Sequence, residues 1–299
     1  MIDKYTSNLE YLTLSLTNKC NLDCVCCSTE NMCEDYTENI KQLNFEDYKF
    51  VIQNMSILGM KKIKFVGGEP LLYPRLCELI RFAKEECNIE FVKIVTNGTE
   101  LYQMTRDLKM NGVDEIEIIL NSLKEFKYKH LTGQARLKDV IRSIESCIIN
   151  KIKVSIRCTL INNFNEEEML DFMYLTNVYD IDIQFMELLP RGNAKHIYSK
   201  GYISTSSALN FDLNLYDTTE QDDIFRYYKL ENAKGRIGII NNDIYCSQCS
   251  DIKITSTGSV VLCPNSDKNI DIYEYLGRPL MFKEVMKETI NKKQEICII

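Results

Sequence analysis

The sequence predicts an α/β fold, a partial (β/α)6 TIM-like barrel followed by a small C-terminal domain. Three observations predict it. Short β-rich runs alternate with helix-length amphipathic stretches, the pattern of parallel strands joined by right-handed crossovers. Six such units occur, fewer than a complete eight-strand barrel needs. After "MELLPRGN" the alternation stops, and a polar, irregular stretch leads into a cysteine-bearing segment.

The strands are "YLTLSL" (11–16), "KIKFV" (62–66), "FVKIVT" (91–96), "EIEIIL" (115–120), "KVSIRCTL" (153–160) and "IDIQFMEL" (181–188). Helical patterns lie between them at about 45–58, 75–87, 100–111, 135–150 and 165–178. Asn44 before "FEDYKFVIQNM" and Asn165 before "EEEMLDFMYL" are N-cap residue types followed by acids, so Glu166–Glu168 are expected to stabilise a helix N-terminus. A boundary near residue 200 divides the chain into a core (1–200) and a C-terminal domain (201–299). Within the latter, "TSTGSV" reads as a hairpin turn between two strands.

Composition narrows the function classes. The chain has 299 residues, 45% hydrophobic and 26% charged, enough for a sizeable core and unlike a disordered segment. No run approaches the ~18 apolar residues of a membrane span. The start, "MIDKYTSNLE", shows no apolar signal region, so the reading is cytoplasmic. In that setting thirteen cysteines are thiols and metal ligands rather than disulfides. A net charge of −7 argues against general nucleic-acid binding but leaves room for a local basic pocket.

The cysteines fall into two groups. "CNLDCVCC" holds Cys20, Cys24 and Cys27 as C-x3-C-x2-C, directly after the first strand, with Cys26 as an extra thiol. Zinc would want a fourth Cys or His, and His130 and His196, which are given no role, are remote in sequence. A redox pair of Cys24 and Cys27 would suit a fold with fewer βα units. An iron–sulfur cubane takes four ligands, so three thiolates would leave one iron open. The second group, Cys246, Cys249 and Cys263, reads C-x2-C-x13-C in "YCSQCSDIKITSTGSVVLCP". There a zinc ribbon completed by Cys297 stands beside a second cluster. Cys33, Cys77, Cys87, Cys147 and Cys158 read as small buried hydrophobes.

C-x3-C-x2-C after the first strand, with "GGEP" (Gly67–Pro70) after the second, resembles the radical S-adenosylmethionine (SAM) superfamily. The resemblance implies that Cys20, Cys24 and Cys27 hold a 4Fe–4S cluster whose open iron chelates SAM. It makes Gly67, Gly68, Glu69 and Pro70 the turn that binds the SAM amino group. Glycine lets backbone come close to a ligand, and Glu69 can receive an ammonium. "TNG" (Thr96, Asn97, Gly98) would add polar groups facing SAM. Cys26 stands where the family has an aromatic residue that touches adenine through its backbone. Asn121 and Arg157 are further candidates for SAM, Arg157 if it points into the barrel rather than outward to a salt bridge. The second cysteine group resembles the auxiliary-cluster segment called twitch.

Across residues 10–265 the chain is similar to the GTP 3′,8-cyclase family of molybdenum-cofactor synthesis, in "GGEPLLYPRL", "VTNGTEL", "NNFNEEEMLDF", "IDIQFMELLP" and "GRIGIINNDIYCSQC". Its departures fall on cations that the family uses for triphosphate. Thr13, Ser155 and Asp251 stand at basic positions, Lys253 replaces an arginine, and Lys64 is retained. Ile119 stands at a serine position, and the chain ends "QEICII" without the family's double glycine. The resemblance thus implies a radical SAM enzyme with two 4Fe–4S clusters that abstracts hydrogen from a small molecule. Flavodoxin or ferredoxin would serve as reductant, and Lys64 and Lys253 would face the substrate. GTP is expected to bind weakly. GTP cyclisation, peptide maturation and a non-enzymatic metal-binding protein are the alternatives; only about ten residues before the first strand argue against a leader-peptide domain.

Iron content tests both cysteine groups. Protein reconstituted without oxygen should carry about eight irons, and replacing either cysteine triplet by Ala should remove about four. Cys26→Ala should leave the count unchanged; stoichiometric zinc would indicate the ribbon.

Overall fold

A computed structural model describes residues 11–28, 41–209, 215–221, 224–240, 251–261 and 269–296. The chain runs β1 (Tyr11–Ser15), α1 (Phe45–Ile57), β2 (Lys62–Val66), α2 (Leu76–Glu85), β3 (Phe91–Thr96), α3 (Thr105–Met110), β4 (Glu115–Ile119), α4 (Glu125–Thr132), α5 (Leu137–Ile149), β5 (Lys153–Leu160), α6 (Met169–Val178) and β6 (Ile181–Glu187). There follow α7 (Tyr198–Gly201), α8 (Thr205–Ala208), β7 (Tyr216–Gln221), β8 (Phe225–Lys229), β9 (Ile237–Ile240), β10 (Asp251–Ile254), β11 (Ser259–Val261), β12 (Asn269–Asp271) and α9 (Pro279–Ile296). All strands join one sheet, in the order β12-β11-β10-β1-β2-β3-β4-β5-β6-β9-β8-β7. From β10 through β1 to β6 and on to β9 every pairing is parallel. Antiparallel strands complete both edges. This is the expected α/β partial barrel, widened at each side by a parallel strand from the C-terminal third.

Strand parity decides the two faces, because successive side chains point oppositely. Leu12, Ile63, Ile94, Ile116, Ile156 and Ile183 are buried on the outer face, in one core with Val51, Leu79, Val140 and Phe172 of the covering helices. α9 joins that layer: Phe282, Met286 and Ile290 are buried at four-residue spacing, and the Phe282 ring meets Phe50 of α1 edge-on at 5.2 Å. The alternate residues of the same strands face the barrel interior. Most are charged.

The capping expectation holds at one helix and fails at the other. Asn44 Oδ1 accepts from the backbone N–H groups of Glu46 and Asp47, and Asp47 returns the bond to Asn44 N at 2.9 Å. Asn165, by contrast, makes no cap bond. Its fully buried amide donates to the carbonyls of Asn121 and Thr159 and accepts from Ile161 N, pinning the loop after β5. Nor do the three glutamates act alike. Glu166 accepts from Asn163 N and Phe164 N, whereas buried Glu168 accepts from Ser122 Oγ and Leu123 N. Helix α4 was not legible in sequence, since "EFKYKHLT" has little apolar periodicity and no capping side chain.

Replacing Asn44 by Ala should cost about 1 kcal/mol, the usual value of an N-cap bond. Urea unfolding of the two proteins measures it; a difference near zero would mean that the box adds nothing.

Candidate active site

The cysteine loop after β1 and the glycine turn after β2 are joined as if they were one more step of the sheet. Gly68 N donates to Thr17 O, and Glu69 N to Lys19 O, both at 2.7 Å. The approach needs glycine: a Cβ on Gly68 would lie 2.1 Å from the Lys19 carbonyl oxygen, and one on Gly67 2.8 Å from that of Thr17. Two further elements hold the loop. Asp23 N and Val25 N donate to Thr132 and Leu131 at the end of α4. After β6, Asn193 Nδ2 donates to Cys24 O and Ala194 N to Cys27 O.

Cys20, Cys24, Cys26 and Cys27 are thereby gathered in one half-buried loop. Burial raises the Cys20 and Cys24 thiols, and neighbouring thiols raise them further; burial pushes Cys26 up to about 12. Three soft sulfur donors, Cys20, Cys24 and Cys27, on one loop suit an iron–sulfur cluster. No three His, Cys, Asp or Glu side chains among the described residues meet at the distance of a single metal ion. The Asn121 amide lies 3.3 Å from the Cys26 sulfur. Asn121 also accepts from Thr159 N. Cys87, Cys147 and Cys158 are buried and Cys77 is half-buried; Cys33, Cys246, Cys249 and Cys263 lie outside the described residues.

Glu69 is the acid of this site. Pro70 opens a short 3-10 turn behind it. Its carboxylate accepts from Thr96 Oγ1 at 2.6 Å, Asn97 N at 2.8 Å and Leu71 N at 3.1 Å. Asn97 then reaches Asn21 Oδ1 and lies 3.8 Å from the Cys20 sulfur. Glycine turn, third strand and cysteine loop therefore form one hydrogen-bonded unit. Burial raises the Glu69 carboxyl to about 7, against the pull of those donors.

Below this unit the barrel interior carries a ladder of ion pairs that sequence reasoning missed. Lys93 lies 2.9 Å from Glu115 and 2.6 Å from Glu117. Arg157 points inward and binds Glu117 at 2.7 Å. Lys153 bridges Glu115 and Asp182, and Arg236 binds Asp182. Ser155 donates to Glu115. Burial opposes ionisation of Glu117, yet Arg157 and Lys93 hold its carboxyl down at about 2. At the β1 edge Asp251 accepts from Thr13 Oγ1 at 2.6 Å and pairs with Lys64 at 2.9 Å. Lys253, in register with Thr13, is half-buried, and desolvation lowers its ammonium; it feels Asp251, Arg191 and Cys27. The signal for the ladder was the alternation of charged and apolar residues in "KIKFV", "EIEIIL" and "IDIQFMEL".

A cysteine loop and a glycine turn side by side at the C-terminal ends of parallel strands define a partial-barrel enzyme that binds an iron–sulfur cluster. The Radical SAM superfamily matches residues 14–175, and Molybdenum Cofactor Synthesis C matches residues 181–297. The chain belongs to the radical SAM superfamily, and works with SAM and two 4Fe–4S clusters. It is 32% identical over 298 residues to a GTP 3′,8-cyclase of Clostridium botulinum (strain Hall), covering 98% of this chain and 93% of the relative. A GTP 3′,8-cyclase of Lactiplantibacillus plantarum is 27% identical over 310 residues, covering 98% and 90%. Among solved structures, Streptococcus suis SuiB bound to S-adenosylmethionine superposes with a TM-score of 0.63 at 13% identity. That match covers 89% of this chain and 64% of SuiB, a likeness of fold. No helix among the described residues is long and apolar enough to cross a membrane.

The raised Glu69 pKa fixes a sign. Between about 4.5 and 7 the folded chain keeps a proton that the unfolded chain has lost, so stability falls as pH rises through this window and levels off above it. At full size the loss is about 3 kcal/mol. In cluster-free protein, urea midpoints from pH 4.5 to 8 should show this slope, and Glu69→Gln should flatten it.

Proposed function

We propose that this enzyme cleaves SAM reductively at the Cys20–Cys27 loop and acts on a small molecule inside the barrel, with GTP cyclisation as the reaction. The observation that carries the finer reading is the 32% identity to a GTP 3′,8-cyclase across 98% of the chain. It weighs against the expectation of weak GTP binding. Cluster and SAM, given an electron from a flavodoxin- or ferredoxin-type donor, supply a 5′-deoxyadenosyl radical that abstracts hydrogen.

The protein's part is positional. Cys20, Cys24 and Cys27 would hold the cluster while Gly67 and Gly68 admit SAM close to the backbone. Glu69, fixed by Thr96 and Asn97, would receive the SAM ammonium. Asn121 and Cys26 would set the loop edge beside adenine, with Arg157 deeper in the barrel. Cys246, Cys249 and Cys263 would hold the second cluster in a C-terminal domain, residues 201–299, whose β9 and β10 extend the sheet of the core, residues 1–200. Lys64 and Lys253 would border the substrate, in the cytoplasm.

A specific observation favours a second reading within the same chemistry. Lys64, the retained cation, is already engaged by Asp251. A small molecule with less negative charge than GTP would suit that edge.

One assay separates the readings. Reconstituted enzyme with SAM, dithionite and GTP should give 5′-deoxyadenosine and 3′,8-cyclo-GTP. 5′-Deoxyadenosine without the cyclic product, even at saturating GTP, would favour the second reading. Absence of 5′-deoxyadenosine from every mixture, cell extract included, would overturn both. Cys26→Ala should retain SAM cleavage, and the Cys20/Cys24/Cys27 triple variant should lose it.

A further inference from the structure

The interior ladder accounts for nearly all of its own charge. Lys64, Lys93, Lys153, Arg157 and Arg236 each lie within 4 Å of a carboxylate of Asp251, Glu115, Glu117 or Asp182. A polyphosphate entering here would meet Lys253 outside these pairs but would have to take the other cations from these acids. It would also sit beside the carboxylates left behind, and uncompensated buried charge costs several kcal/mol. What the pairs leave unused is hydrogen-bonding capacity.

That capacity is concentrated where β5 and β6 pair. Arg157 and Gln184 are register partners on the interior face. Arg157 spends one terminal nitrogen on Glu117, while its buried Nε has no hydrogen-bond partner. Gln184 is 3% exposed. Its amide nitrogen donates to Tyr227 Oη at 2.8 Å, and its oxygen has no partner. Gly238 makes room for this pair, since a Cβ there would come within 3.2 Å of Gln184 and 3.0 Å of the Tyr227 ring. The Phe225 ring lies 5.8 Å from the Arg157 guanidinium. A fixed donor and a fixed acceptor thus stand side by side, buried, on a wall with aromatic rings.

We propose that Arg157 and Gln184, with Tyr227 behind them, form the specificity subsite of the barrel, and that it takes an uncharged lactam or amide edge rather than a polyphosphate. Such an edge offers a C=O to Arg157 Nε and an N–H to Gln184 Oε1, satisfying both groups at once. A site built to meet such an edge rejects ligands that leave it unpaired. The proposal rests on the reading that substrate occupies the barrel interior. For a nucleotide substrate, base and not phosphates would carry the affinity.

Calorimetry on the reconstituted protein with SAM tests this using guanosine, GTP and inorganic tripolyphosphate. Guanosine and GTP should bind with dissociation constants within about threefold of each other, and millimolar tripolyphosphate should displace neither. Gln184→Met, which keeps length but removes the acceptor, should weaken guanosine about tenfold, the effect of one buried hydrogen bond. Asp251→Asn, which frees Lys64, should make GTP bind more tightly than guanosine. GTP binding more than about thirtyfold tighter than guanosine in the unaltered protein, with competition by tripolyphosphate, would overturn the proposal, and this comparison needs no variant to fold. Failure of guanosine to bind, or undiminished binding by folded Gln184→Met, would also overturn it. Missing 5′-deoxyadenosine would instead count against the reading on which it rests.

Discussion

The site depends on a contact that only glycine allows. Two backbone hydrogen bonds, from Gly68 to Thr17 and from Glu69 to Lys19, zip the glycine turn to the cysteine loop. Any side chain at Gly68 would collide with the Lys19 carbonyl. The zip places the Glu69 carboxylate where Thr96 and Asn97 can reach it, and Asn97 carries the network to the edge of Cys20. Release of these two bonds would detach the thiols from the β1–β2 pairing. The loop's other supports come from α4 and from the turn after β6. Three separate parts of the chain therefore converge on eight residues that have no regular structure of their own.

Behind that loop, one geometric rule organises the rest. Alternation along each strand sends aliphatic residues to the helices and charged residues to the interior. The outer face packs as an ordinary apolar core. The inner face carries charges because they can meet across parallel strands: Lys93 stands opposite Glu115, and Glu115 opposite Lys153. Glu117 and Asp182 both stand opposite Ser155, and cations from other positions reach them, Lys93 and Arg157 to Glu117, Lys153 and Arg236 to Asp182, so buried ionised groups are compensated where they stand.

Most of the barrel was legible because its strands are short, β-branched and evenly spaced. Strand positions in sequence match those in space to within a residue or so, and the cysteine and glycine motifs sit at the strand ends where the spacing put them. What was not legible depended on tertiary partners. Asn165 has the composition of a cap, but a buried loop needed its amide more, so the backbone took that bond instead. Helix α4 has little intrinsic periodicity. It is tied in through Lys127 to Glu167 and Glu168 of the segment leading into α6. Arg157 could not be oriented from its own string, since its direction follows from Glu117 on the adjacent strand. The ladder was written in the alternation itself and needed only a parity reading.

Thr13 and Asp251 show how two substitutions can be read together. Each alone looks like the loss of a cation from a basic pocket. In space they are hydrogen-bonded to each other, and Asp251 also binds Lys64. A carboxylate that engages both a hydroxyl and an ammonium is a satisfied group, not a repulsive one left over. Thr13, Asp251 and Lys64 therefore form a neutral unit where β1 pairs with β10. Charge is conserved by pairs across strands, so retention of a single lysine says little about whether a polyanion is held there. What the pairs leave over in the interior are hydrogen-bonding groups of Arg157 and Gln184, with the Lys253 ammonium beside Asp251.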